Sequence, residues 1–178
     1  VSPASVRLNT STLALVTEAT LKLYPRLTNQ TTVLAPFATL DQVTRAVPRI
    51  VDSGIGPLIL EYVDGGGLAL LTANVGLELG IAADVQEAAA AYLIVVLEGH
   101  HETRVDEDLV ALGDQLHELA ALDIYILPPA SAALLLEARE KAFWVVKQMG
   151  ANDIIDVVVP RASVPAYLAK VRAIADEH

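Results

Sequence analysis

The residue in this chain best suited to chemistry is Arg139. Over 131–149 the sequence reads as one long helix, and its 3.6-residue period puts Leu135, Ala142, Phe143 and Val146 beside Arg139 on an apolar stripe. Glu137 and Lys141 pair at i,i+4 on another side. An arginine on an apolar face needs a partner, because an unpaired buried charge costs several kcal/mol. Two readings follow. The guanidinium is either a fork that grips a carboxylate in bidentate fashion, or half of a structural ion pair whose stem packs while its head reaches out.

Other groups offer less. Gly99-His100-His101-Glu102 gathers metal-ligating types, but adjacent strand histidines point to opposite faces, so a solvated strand-to-helix turn is expected. His117 has no partner at metal spacing. Gly65-Gly66-Gly67 before a helix could cradle a phosphate, yet the Lys-Ser/Thr of a P-loop is absent, and a turn is expected. No Gly-x-Ser-x-Gly elbow is present, and without cysteine there is neither a disulfide nor a thiolate site. No catalytic residue and no metal ligand is assigned.

These residues must be held by a regular alternation of elements. Strands are expected at 13–23, 31–37, 58–63, 91–98, 121–127 and 154–159, from β-branched content and bounding turns. Helices are expected at 40–51, from near 68, at 104–119, 131–149 and 164–175. Thr39 with Gln42 forms a capping box for the first. Pro48 inside that helix costs about 3 kcal/mol unless the helix kinks. Val105, Leu109, Leu112, Leu116 and Leu119 mark the buried stripe of the third. The order strand–helix–strand, repeated, gives an α+β fold: a ferredoxin-like antiparallel sheet with helices packed mainly on one face.

Composition bounds the function. The 178 residues are 53% apolar with net charge −10, which fits one folded domain and excludes a disordered acidic tail. The acidic balance and the lack of a Lys/Arg cluster exclude nucleic acid and anionic membrane as partners. The longest apolar run, Ala88 to Leu97, is too short to span a bilayer. With no secretory signal, a cytoplasmic location is expected.

Three stretches taken in order resemble one family. Ser11 to Pro25, Ser-Thr-Leu-Ala-Leu-Val-Thr-Glu-Ala-Thr-Leu-Lys-Leu-Tyr-Pro, is similar to the strand that ends the FAD-binding domain of FAD-linked oxidases related to glycolate oxidase, D-lactate dehydrogenase and D-2-hydroxyglutarate dehydrogenase. Leu136-Glu-Ala-Arg139-Glu140 and Asp156-Val-Val-Val-Pro160-Arg161-Ala-Ser163 are similar to that family's Trp-x-x-Arg-Glu and Asp-x-x-x-Pro-x-Ser patterns.

The resemblance implies that residues 1–25 are a remnant or edge strand from the end of the FAD-binding domain. Residues 26–178 would be the cap, or substrate-binding, domain, ending before the family's metal-binding histidine motif. It gives Arg139 the carboxylate of a small D-2-hydroxy acid of lactate or glycolate type. Thr12, Leu15 and Val16 match flavin-contacting positions. However, Leu8 and Ser11 replace two glycines of the family's Gly-Ser-Glu-Gly-Thr-Leu-Gly-Val-Val-Thr-Glu run, which let backbone approach the flavin. FAD is thus expected in the parent enzyme but not retained by this chain, and a divalent metal is expected in the parent only. Where some relatives carry a lysine before the later Asp, this chain has Asp153-Ile-Ile155.

The implied partners are the FAD-binding domain of the same protein and the 2-hydroxy acid, with a homodimer where an uncovered apolar face self-associates. By itself the chain is expected to be inactive. Two alternatives stay open: a ferredoxin-like small-ligand sensor or dimerisation domain, and a relative of alkyl-glycerone-phosphate synthase.

Overall fold

The computed structural model describes residues 18–23, 25–151 and 155–177. Among them a four-stranded sheet is built from β1 (Asn29–Phe37), β2 (Ile59–Asp64), β3 (Ala91–Gly99) and β4 (Tyr125–Leu127). The spatial order is β2-β3-β1-β4 and every neighbouring pair is antiparallel. That is the order of a double βαβ, in which each half sends its second strand to an outer position. The expected α+β antiparallel fold is the observed one.

The crossover helices α1 (Leu40–Asp52) and α4 (Glu102–Glu118) pack on one face. Val43, Ala46 and Ile50 from α1 and Val105, Leu112 and Leu116 from α4 meet Val33, Ala35, Phe37, Leu93 and Val95 there. The opposite face has its own cover, beyond the one-sided packing expected. Leu68 of α2 (Gly65–Val75) and Ala132 and Leu135 of α5 (Pro129–Glu140) close over Leu34, Tyr92, Ile94 and Leu127. The cause is legible in β1 and β3. From Val33 to Phe37 and from Ala91 to Leu97 every side chain is apolar, so both faces need covering.

Local signals explain most helix ends. Thr39 Oγ1 accepts from Gln42 N at 3.2 Å, and Gln42 Oε1 accepts from Thr39 N at 3.0 Å, completing the capping box. Pro48 does not end α1, because Val43, Ala46 and Ile50 anchor the helix on both sides of it. Helix α2 begins at Gly65, three residues before the expected start, because Asp64 caps it: Oδ1 accepts from Gly67 N at 2.8 Å.

Four expectations are corrected. Residues 18–23 are exposed and form no strand, while 11–17 lie outside the described residues. Residues 155–160 also form no strand, and Ile155 and Val158 stand open to solvent. A β-branched run becomes a strand only where a ladder partner is available. The last strand is three residues, not seven, because Ala120 turns at φ 59 to end α4 and Ala121 N bonds back to Leu116 O. Finally, the helix expected over 131–149 is two. It breaks at Lys141 (φ −92, ψ 0), whose N–H is shared between the carbonyls of Glu137 and Ala138.

After the break come α6 (Ala142–Gln148) and, beyond a 3-10 turn at Arg161–Ser163, α7 (Val164–Glu177), which packs against α1. No helix among the described residues is long and apolar enough to cross a membrane.

Candidate functional site

Arg139 stands one turn beyond Leu135, the fully buried residue that fastens α5 to the sheet. That placement aims its stem along the covered face. On the same face, β2 presents Glu61, paired in register with Ile94 while its neighbours Leu60 and Tyr62 turn to the other side. The two meet: Arg139 Nη1 lies 2.9 Å from Glu61 Oε2, with the side chains 29% and 42% exposed. A pair this open to solvent contributes about 1 kcal/mol or less.

The rest of the fork is not matched. Arg139 Nε is buried and has no hydrogen-bond partner among the described residues. Leaving a buried donor unpaired costs about 1–3 kcal/mol. So the ion-pair reading of Arg139 is present in the geometry, yet it uses one nitrogen and strands another. The planar edge formed by Nε and Nη2 is the shape that accepts two carboxylate oxygens side by side.

Glu61 was not singled out by the sequence reading. The signal was available: it is the lone charge inside Leu58-Ile-Leu-Glu61-Tyr-Val63, and an apolar strand with one carboxylate asks for a cation. The break at Lys141 also changes the stripe. Phe143, expected beside Arg139, is 40% exposed, and Val145 takes the buried position in α6. Lys141 itself donates to Glu137 at 2.6 Å, which holds the Glu137 carboxyl below its ordinary range.

The remaining candidates separate cleanly. His101 occupies the N-cap position of α4 without a side-chain cap, and His100 lends its carbonyl to Asn29. Among the described residues no group of three or more metal-ligating side chains converges. The Gly65–Gly67 run is a helix start, with Gly65 N bonded to Ala90 O. A cavity of about 700 Å³ lies under the chain between α2 and β3, lined by Asp64, Leu68, Leu79, Tyr92 and Arg172 among others. Arg139 does not line it, so volume and candidate chemistry do not coincide. Burial pushes the Tyr92 phenol above its ordinary value, and Tyr62 and Tyr125 are raised for the same first reason.

Thr12, Leu15 and Val16, matched to flavin contacts, lie outside the described residues. The orphaned donor on the described part, Arg139 Nε, suits an acceptor oxygen such as that of a carboxylate. What the arrangement can do is bind and orient an anion.

Comparison with known proteins places the chain. Two FAD-linked oxidoreductases of Mycobacterium tuberculosis, both described as uncharacterized, are 52% identical over 164 residues, which is 92% of this chain and 36% of theirs. Glycolate oxidase subunit GlcD of Bacillus subtilis is 27% identical over 94% of this chain and 34% of its own length. D-lactate dehydrogenase of Archaeoglobus fulgidus is 23% identical over 94% of this chain and 35% of its own. The chain therefore spans about a third of each of these relatives. Residues 26–178 match the family described as FAD linked oxidases, C-terminal domain, and the chain belongs to that family.

Proposed function

We propose that this chain is the substrate-binding cap domain of an FAD-dependent oxidoreductase acting on a small D-2-hydroxy acid of lactate or glycolate type. In this reading residues 1–25 close the FAD-binding domain and 26–178 form the cap. The single observation that carries it is Arg139: a guanidinium held at Nη1 by Glu61, with a buried Nε that no described group satisfies. The names of the Bacillus and Archaeoglobus relatives support a 2-hydroxy acid as the class of substrate.

The work of this chain's own residues is positional. Arg139 takes the substrate carboxylate and fixes which face of the α-carbon meets the partner domain. Leu135 and the sheet beneath hold α5 so that the fork does not drift. FAD supplies the hydride acceptor when bound by the parent protein. The chain alone is therefore binding machinery without a redox centre. Phe143 and Trp144 on α6, Met149 just past its end, and Val157 and Val158 beyond are large apolar side chains left open. The reading assigns them to contact with the FAD-binding domain of the same protein.

Anaerobic mixing of the full-length flavoprotein with a panel of D- and L-2-hydroxy acids tests the assignment. Bleaching of the flavin absorption by D-lactate or D-glycerate, and not by the L-forms, is expected. A flavin that stays oxidised with every 2-hydroxy acid, while dithionite reduces it, ends the proposal.

A further inference from the structure

We infer that Glu61 sets the substrate class of the Arg139 site: it admits 2-hydroxy acids with one carboxylate and turns away those with two. The inference rests on Arg139 being the carboxylate-binding residue. Glu61 then acts as a positioning residue for the guanidinium and as a fixed negative charge beside the ligand.

The geometry carries both roles. Nη1, the terminal nitrogen on the Cδ side of the guanidinium, is the one held by Glu61 Oε2 at 2.9 Å. What remains is the Nε/Nη2 edge, and Nε is buried without a partner. Glu61 therefore occupies Nη1 and leaves a ligand Nη2 together with the covered Nε, the latter only once the groups over it move aside. Its own freedom is small, because its backbone lies within the β2–β3 ladder, opposite Ile94. Fixing the donor before the ligand arrives lowers the ordering cost of binding.

Charge counting gives the selectivity. A single carboxylate on the free edge leaves two negative groups around one guanidinium, each on its own nitrogens. A second carboxylate on the ligand adds a third negative group, and among the described residues Arg139 is the cation paired with Glu61. Lys141, two residues along the chain, is committed to Glu137 at 2.6 Å. The Glu61 side chain is 42% exposed. Its charge is thus not sealed away from a bound molecule, and like charges set side by side discriminate strongly. The net charge of −10 acts in the same sense at longer range.

The test uses the full-length flavoprotein, dye reduction, and two substrates, D-lactate and D-2-hydroxyglutarate. In the wild type kcat/KM favours D-lactate. Glu61→Gln should raise the dicarboxylate-to-monocarboxylate ratio of kcat/KM by about tenfold, through KM, with flavin content unchanged. Glu61→Asp keeps the charge while withdrawing it by one methylene. It should raise KM for D-lactate and leave the ratio near that of the wild type.

A measurement on the wild type alone guards against a Gln variant that does not fold: added salt should raise the same ratio by screening Glu61. A ratio unmoved by Glu61→Gln and by salt overturns the inference, as does a wild type that prefers the dicarboxylate. Arg139→Lys separates the two claims. If it leaves KM for both substrates intact, Arg139 is not the carboxylate residue. If it raises KM while Glu61→Gln leaves the ratio alone, only the role of Glu61 falls.

Discussion

Replacing Arg139 by methionine should make the chain more stable, not less. Methionine keeps an unbranched apolar stem along the α5 face and removes three nitrogens. The loss is the contact with Glu61, worth about 0.2–1 kcal/mol at this exposure. Glu61 rehydrates easily, since 42% of its side chain already meets solvent. The gain is relief from the unpaired buried Nε, about 1–3 kcal/mol. The difference runs from about 0 to 2.8 kcal/mol in favour of Arg139→Met, about 1.4 kcal/mol at its centre, or roughly 3–6 °C in melting temperature for a domain of this size. Thermal unfolding of the purified chain, followed by circular dichroism, reads it directly. A drop of more than 1 kcal/mol, about 3 °C, would mean that Arg139 is a structural strut. A rise marks it as a residue kept at a cost in stability, the usual trade at binding sites.

Two further outcomes follow from the fold. Ala120 sits at φ 59 where α4 ends, and Ala120→Gly should stabilise by about 0.5–1 kcal/mol in the same melt; a loss of stability contradicts the strain at that position. Tyr62, Tyr92 and Tyr125 have phenols raised by burial, so their contribution is complete below the unfolded value near 10 and is lost as pH climbs past it. Melting temperature should accordingly fall on the alkaline side of pH 10, less steeply in Tyr92→Phe, and equal slopes in the two proteins contradict the assignment.

The core of this molecule was readable because its signals are local or periodic. Thr39 and Gln42 announce a capping box by spacing alone, and the heptad-like run from Val105 to Leu116 can bury only as a helix. The continuous apolar stretch Ala91–Leu97 reads as a strand buried on both faces. Elements that depend on a distant partner were not readable in the same way. Ile155 to Val159 has strand composition, but nothing in its own residues says whether a ladder partner exists. The break at Lys141 arises from a bifurcated hydrogen bond between ordinary helix formers, with no Gly or Pro to mark it.

The candidate site divides along the same line. Periodicity put Arg139 on a packed face correctly. Which group it would meet was a tertiary matter, settled by the antiparallel register that sets Glu61 opposite Ile94. Of the two readings weighed from sequence, the ion pair is what the fold supplies, and it leaves Nε buried without a partner.

The most direct test of the central claim is the steady-state kinetics of the full-length flavoprotein with D-lactate, wild type against Arg139→Lys. Lysine keeps the charge and gives up the planar fork. KM should rise about tenfold or more with FAD content and the spectrum of the bound flavin unchanged. A KM within about twofold of the wild type would contradict the account, because a guanidinium that grips a carboxylate by two nitrogens has no substitute in an ammonium group.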